Sequence, residues 1–124
     1  MINYRNVVVK IGSALLSNDN HNVDGFIENI CKQIVVAKNK GTKFTIVTSG
    51  AISKGQEILQ ISDRPNNLED LQALAAIGQQ SLMRMYEGAF ENYSCLTAQV
   101  LLTHDDMNDP NRFLNAKALS LIHI

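Results

Sequence analysis

Apolar positions along the chain change period several times, and each change marks an element. Val7-Val8-Val9-Lys10-Ile11 is a β-branched run closed by Gly12-Ser13, the composition of a buried strand running into a turn. A polar stretch at 18–22 predicts a surface loop. Phe26, Ile27, Ile30, Cys31, Ile34, Val35 and Ala37 then recur at helical spacing, with Asn22 or Asp24 as N-cap and Gly41 as the stop. A second β-branched run, Lys43-Phe44-Thr45-Ile46-Val47-Thr48, ends at Ser49-Gly50 and restarts as a helix at Ala51 that continues through Ile58 and Leu59. Asp63-Arg64-Pro65-Asn66-Asn67 breaks it. A longer helix follows, its apolar face traced by Leu68, Leu71, Leu74, Ala75, Ile77, Gly78, Leu82, Met85, Tyr86 and Phe90. Tyr93 to Leu102 is expected as a third strand, 103–110 as a polar loop, and Pro110 or Asn111 as the start of a last helix carrying Phe113, Leu114 and Lys117.

Strand, helix and strand in succession predict an α/β arrangement whose first two strands are parallel through a right-handed crossover. Parallel strands end at the same edge of the sheet. The turns Gly12-Ser13 and Ser49-Gly50-Ala51 are therefore expected at one crevice, where small residues let a ligand approach backbone N–H groups. The second turn also opens a helix, whose first N–H groups and positive dipole end favour an anion; the plainer reading of Ser49 is an N-cap. Lys10 is a charge near the end of an apolar strand, and it either snorkels to water or meets a phosphate. Two small-residue anion sites with a lysine between them suit a reaction joining two negatively charged reactants, such as phosphate transfer to a carboxylate. For Gly78, close packing on the sheet or a kink is expected in preference to a ligand role.

Composition narrows the classes of function. The chain has 124 residues, 45% apolar and 19% charged, with a formal net charge of −1, so one modest domain or part of one is expected, with no basic surface for nucleic acid. No apolar run reaches the span of a bilayer and no signal-like segment opens the chain, which points to a cytoplasmic protein without a membrane partner. Cys31 and Cys95 stand far apart without ligand-spaced partners and are expected as reduced core thiols. His21, His104 and His123 lack neighbours at metal-ligand spacing. Asp105, Asp106 and Asp109 lack the alternation and glycine of a calcium loop and read as turn and cap carboxylates. The Gly50 to Gly55 spacing imitates a P-loop, but Gln56 and Glu57 stand where that motif needs a lysine and a hydroxyl residue. Ser49 lacks the Gly-x-Ser-x-Gly elbow of a hydrolase.

With these pieces in place, the chain resembles the glutamate 5-kinase (γ-glutamyl kinase) family of the amino-acid kinase superfamily. The resemblance rests on Val-Val-Lys-Ile-Gly-Ser at 8–13, Val-Thr-Ser-Gly-Ala-Ile at 47–52, Leu-Ala-Ala-Ile-Gly-Gln at 74–79, Gln99 to Thr103, Asp106-Met107 and Arg112 to Lys117. The first motif is shared with kinases of acetylglutamate, aspartate, carbamate and uridylate; Ser-Gly-Ala-Ile together with the 101–117 stretch singles out the glutamate family. It implies a three-layer α/β sandwich, mainly parallel sheet with helices on both faces, incomplete over this length. It also implies ATP-dependent phosphorylation of the γ-carboxylate of L-glutamate in proline biosynthesis, with Mg2+ carried by the nucleotide and no metal site of the chain's own. Lys10 would be catalytic and, with Gly12 and Ser13, contact the ATP phosphates; Ser49, Gly50 and Ala51 would hold glutamate. A homo-oligomer at full length is implied as well. Family members continue into a further strand, the rest of the glutamate site and a nucleotide half. Residues 1–124 are therefore expected to be the amino-terminal part of one domain, inactive alone, and 118–124, Ala-Leu-Ser-Leu-Ile-His-Ile, to be a non-native tail. The alternatives are a sibling kinase of another carboxylate or carbamate, and a module that binds an amino acid without transferring phosphate.

Overall fold

The computed structural model describes residues 5–17 and 22–121. Its sheet is a parallel pair, β1 (Asn6–Ile11) and β2 (Lys43–Thr48), in the register Asn6 with Lys43 through Ile11 with Thr48. Between them runs α1 (Val23–Lys38), opened by Asn22, whose side chain accepts from the Gly25 N–H, and followed by Gly41 at a φ of 95°. Of the two N-caps expected, the one used is Asn22. A cap of this kind contributes about 1 kcal/mol. Helices α2 (Ala51–Leu59) and α3 (Leu68–Glu91) follow, α3 capped by Asn67 accepting from the Asp70 N–H at 2.8 Å. The chain ends in α4 (His104–Asn108) and α5 (Pro110–Leu121). The loop expected at 18–22 lies, apart from Asn22, outside the described residues, as do 122–124 of the expected tail.

The strand period assigns the two faces of the sheet. Val9, Ile11, Phe44 and Ile46 face a core built from Val23, Ile27, Cys31 and Ile34 of α1 and Leu82, Tyr86 and Phe90 of α3. Val8, Lys10 and Val47 lie on the opposite, exposed face. The architecture is α/β with a parallel sheet, and α1 and α3 together form a helical layer over one side of it. On α3 the buried positions are Leu74, Gly78, Leu82, Tyr86 and Phe90, a stripe of every fourth residue. The expected apolar face was wider: Leu68 and Ile77 are exposed. Cys31 is fully buried and Cys95 packs at the margin of the same core, both as free thiols. Burial, aided by Cys95 and Glu28, pushes the Cys31 thiol up to about 11.

Two expectations are corrected. Tyr93 to Leu102 forms no strand. The N–H groups of Tyr93 and Cys95 donate to the Phe90 carbonyl and that of Ser94 to the Glu91 carbonyl, with Ser94 at a φ of 51°, so the end of α3 curls on itself. The segment then runs with Leu96 almost fully exposed; β propensity without a hydrogen-bonding neighbour makes no strand. The stretch 103–110 is likewise not simply a loop. Thr103 and Asp106 form a reciprocal capping box that starts α4, and those hydrogen bonds, with Arg112 beyond them, hold the Asp106 carboxyl below its ordinary value. Asp109 accepts from the N–H groups of Asn111 and Arg112, so the acidic cluster supplies caps, and Pro110 is the residue that opens the last helix.

Gly78 does pack closely, but against α2 and not the sheet. A Cβ there would overlap the Ala51 carbonyl oxygen and meet the Gly55 nitrogen at 2.5 Å, and one at Gly55 would overlap the Leu74 carbonyl. The two helix backbones touch at this crossing, which leaves no room for a side chain. Gly88, on the same helix, faces open space. We expect Gly78→Ala to destabilise the chain by about 1–3 kcal/mol through overpacking and Gly88→Ala to stabilise it by about 1 kcal/mol through helix propensity. Denaturant unfolding of the two variants checks the opposite signs.

Candidate functional site

The site is built by the two strand ends. Parallel pairing continues one residue beyond β2, where the Ser49 N–H donates to the Ile11 carbonyl at 3.2 Å. After Ile11 the chain passes Gly12 and tightens into a 3₁₀ turn, Ser13–Leu15, held by the Leu15 N–H on the Gly12 carbonyl and anchored by buried Leu16. After Ser49 it turns at Gly50, whose φ of 109° is open to glycine at little cost. The two turns touch: a Cβ on Gly50 would stand 3.6 Å from both the Ser13 Cα and a Leu16 methyl. Gly12, Ser13, Ser49, Gly50 and Ala51 thus gather on one rim at the carboxyl end of the sheet, as the topology requires.

The rim is rich in hydrogen-bond donors. Gly50 gives α2 no side-chain cap, and the first helical bond is that of the Lys54 N–H to the Gly50 carbonyl. The N–H groups of Ala51, Ile52 and Ser53 accordingly have no acceptor among the described residues, at the positive end of the helix dipole. Space above Gly12 is open: a Cβ there would meet nothing within 4 Å. Ser49 is exposed, and it is not the N-cap of α2, a place taken by Gly50. Lys10 pairs in register with Val47, one step short of the rim and on the exposed face. It makes no hydrogen bond or ion pair among the described residues, and its flexible stem leaves the ammonium free to move. Lys54 bonds Glu57 at 3.0 Å, which ties it to its own helix.

Beneath the rim lies a contact that sequence reasoning missed. The Tyr86 hydroxyl, on a residue 6% exposed, is 2.9 Å from the Thr48 Oγ1, and Thr48 donates to the Ser49 carbonyl at 3.3 Å. Burial pushes the Tyr86 phenol above its ordinary value, the Thr48 bond acting in the other direction, so the hydroxyl keeps its proton through the physiological range. In the sequence Tyr86 stood only as one position of an apolar stripe. The available signal was Thr48 itself, a hydroxyl residue closing a β-branched strand directly before Ser-Gly. A shallow groove of about 460 Å³ lies elsewhere, between α1 and α3, with Asp24, Glu28 and Arg84 on its walls. Those side chains belong to exposed residues and need no ligand to be satisfied, so the groove gives no reason to move the site from the rim.

The amino acid kinase family profile matches residues 5–121. The chain belongs to the amino acid kinase family. Among curated relatives it is 46% identical over 114 residues to the glutamate 5-kinase of Geobacter sp. (strain M21), which is 91% of this chain and 31% of the relative. The glutamate 5-kinase of Citrifermentans bemidjiense is 45% identical over 114 residues, with the same coverage, and that of Aromatoleum aromaticum 42% over 117 residues, 94% of this chain and 32% of the relative. The chain therefore spans slightly less than a third of the length of these relatives. Among the described residues, no helix is long and apolar enough to cross a membrane.

Gly50 carries the positive φ at which the rim turns into α2. We expect Gly50→Ala to cost about 1–2 kcal/mol, the penalty for an L-residue at positive φ, although the Cβ itself has room. Thermal unfolding checks the loss, and amide exchange at Lys54, whose N–H bonds the Gly50 carbonyl, reports whether the helix start has frayed.

Proposed function

We propose that the enzyme represented by this chain transfers the γ-phosphoryl group of ATP to the γ-carboxylate of L-glutamate, giving glutamyl 5-phosphate and ADP, the first step of proline biosynthesis. The observation that carries the reading is the contact between two donor-rich turns at one strand edge, one step beyond a lysine that has no partner among the described residues. Joining two anions needs each held by directed donors and the charge between them screened. Gly12 and Ser13 offer backbone donors and open space to the nucleotide phosphates. Ser49, with the N–H groups of Gly50 and Ala51, receives glutamate. Lys10 neutralises charge on the phosphoryl group in flight.

The chemistry needs no enzyme nucleophile. A γ-carboxylate oxygen of glutamate attacks the γ-phosphorus, that P–O bond forms as the bond to the β,γ-bridging oxygen breaks, and ADP leaves with the electron pair. Mg2+ comes with the nucleotide in this reading and is assigned to no residue of the chain. The names of the relatives support the choice of glutamate among the carboxylates that such a rim could hold. The same reading takes the enzyme as cytoplasmic and built from several copies.

A chimaera tests this: residues 5–121 of the present chain in place of the matched segment of the Geobacter relative. It should release ADP with glutamate and not with aspartate or N-acetylglutamate, while the 124-residue chain alone stays at background. Lys10→Ala in the chimaera should lower kcat about a hundredfold or more, the cost of removing one group that stabilises transition-state charge. Ser49→Ala should chiefly raise the glutamate KM. A Lys10→Ala effect confined to the glutamate KM would contradict the role given to that lysine.

A further inference from the structure

The backbone of Ser49 is held at both of its polar groups, by different parts of the fold. Its N–H donates to the Ile11 carbonyl, so β1 fixes one side; its carbonyl accepts from Thr48 Oγ1, which sits 2.9 Å from the Tyr86 hydroxyl of α3. Since Thr48 has a single hydroxyl proton and gives it to Ser49, the proton between Thr48 and Tyr86 is the phenol's. The chain of donors runs Tyr86 to Thr48 to the Ser49 carbonyl. The ring-to-strand link is the shorter of the two and the stronger.

The next residue gives this chain of bonds its significance. The Ser49–Gly50 peptide is planar and trans, so its carbonyl and the Gly50 N–H point in opposite directions. Glycine accepts either sign of φ, and a flip of this one peptide would exchange the two groups at little steric cost. Carbonyl oxygen would then face the rim where a carboxylate is to be held, and repel it. Holding the carbonyl toward Thr48 is what keeps the N–H presented on the other side. Thr48 is half-buried and Tyr86 buried, so water competes poorly for the bond between their hydroxyls, and that bond steadies the more exposed one to the Ser49 carbonyl.

We propose that Tyr86 and Thr48 are positioning residues that lock the Ser49–Gly50 peptide in its donor-outward orientation and thereby set the affinity for glutamate. The proposal rests on the glutamate-holding role given above to this turn. Neither residue touches substrate; both act through the peptide they orient.

The chimaera separates this role from simple packing. Tyr86→Phe keeps the ring and Thr48→Val keeps the shape, and each removes one hydroxyl. Either change should raise the glutamate KM about fivefold or more while kcat and the ATP KM stay within twofold, and Thr48→Ser should restore the parent value. The double variant should be no worse than the worse single one, because one break already disables the chain. Glutamate KM values within twofold of the parent in both single variants would overturn the proposal, as would a common loss in both substrates tracking a fall in Tm. A parent chimaera that releases no ADP with glutamate would count against the proposed function instead. The positioning role is then read on the 124-residue chain by amide exchange. Faster exchange in Tyr86→Phe confined to the bonded amides of this turn, Ser49 and Lys54, upholds it, and unchanged or uniformly faster exchange overturns it.

Discussion

Everything at the rim follows from one parallel pairing held in register to its last residue. Ile11 stands opposite Thr48, and its carbonyl takes the Ser49 N–H, so the two strands release the chain at the same height. A slip of one residue would turn Val9 and Ile11 out of the core and bring Val8 and Lys10 into it, which the burial of a lysine forbids. The apolar pattern therefore fixes the register, and the register places Ser13 against Gly50. Chemistry at this edge is a by-product of core packing.

The helical layer does more than cover the sheet. Through Leu82, Tyr86 and Phe90, α3 closes the core, and through Gly78 it meets the backbone of α2 at Gly55 and Ala51. That crossing sets where α2 begins, and with it the direction of the N–H groups that cap the rim. Tyr86 belongs to the same stripe and adds the hydroxyl that reaches Thr48. One face of one helix thus carries apolar packing, a backbone contact and a polar tether, at successive intervals of four residues.

Much of this was legible in the residues. The β-branched runs, Asn22 and Gly41 locate both strands and the ends of α1 because each signal is local. The shared edge followed from the strand–helix–strand order alone. Tertiary partners were not legible. Tyr93 to Leu102 has strand composition, yet composition supplies no neighbour to pair with, and the end of α3 folds back instead. Gly78 announced a close approach without saying to what, and the approach is to α2. Tyr86 looked like any large apolar position, since a hydroxyl in a core stripe takes its meaning from the atom it meets. Asp106 and Asp109 are the cap carboxylates that the acidic cluster suggests, whereas the short helix that Thr103 and Asp106 start was not legible in a stretch expected as a loop.

The contact between the two turns is the claim on which the remainder depends, and proton–proton distances in the labelled 124-residue chain test it most directly. The Gly50 α-proton in the Cβ position points to within contact of Ser13 and Leu16, the Cβ site itself being 3.6 Å from the Ser13 Cα. The account predicts nuclear Overhauser cross-peaks from that proton to the Ser13 protons and to a Leu16 methyl. Cross-peaks typical of a parallel β1–β2 pair without any between Gly50 and Ser13 would contradict it, because the strands would then end apart and no shared rim would exist.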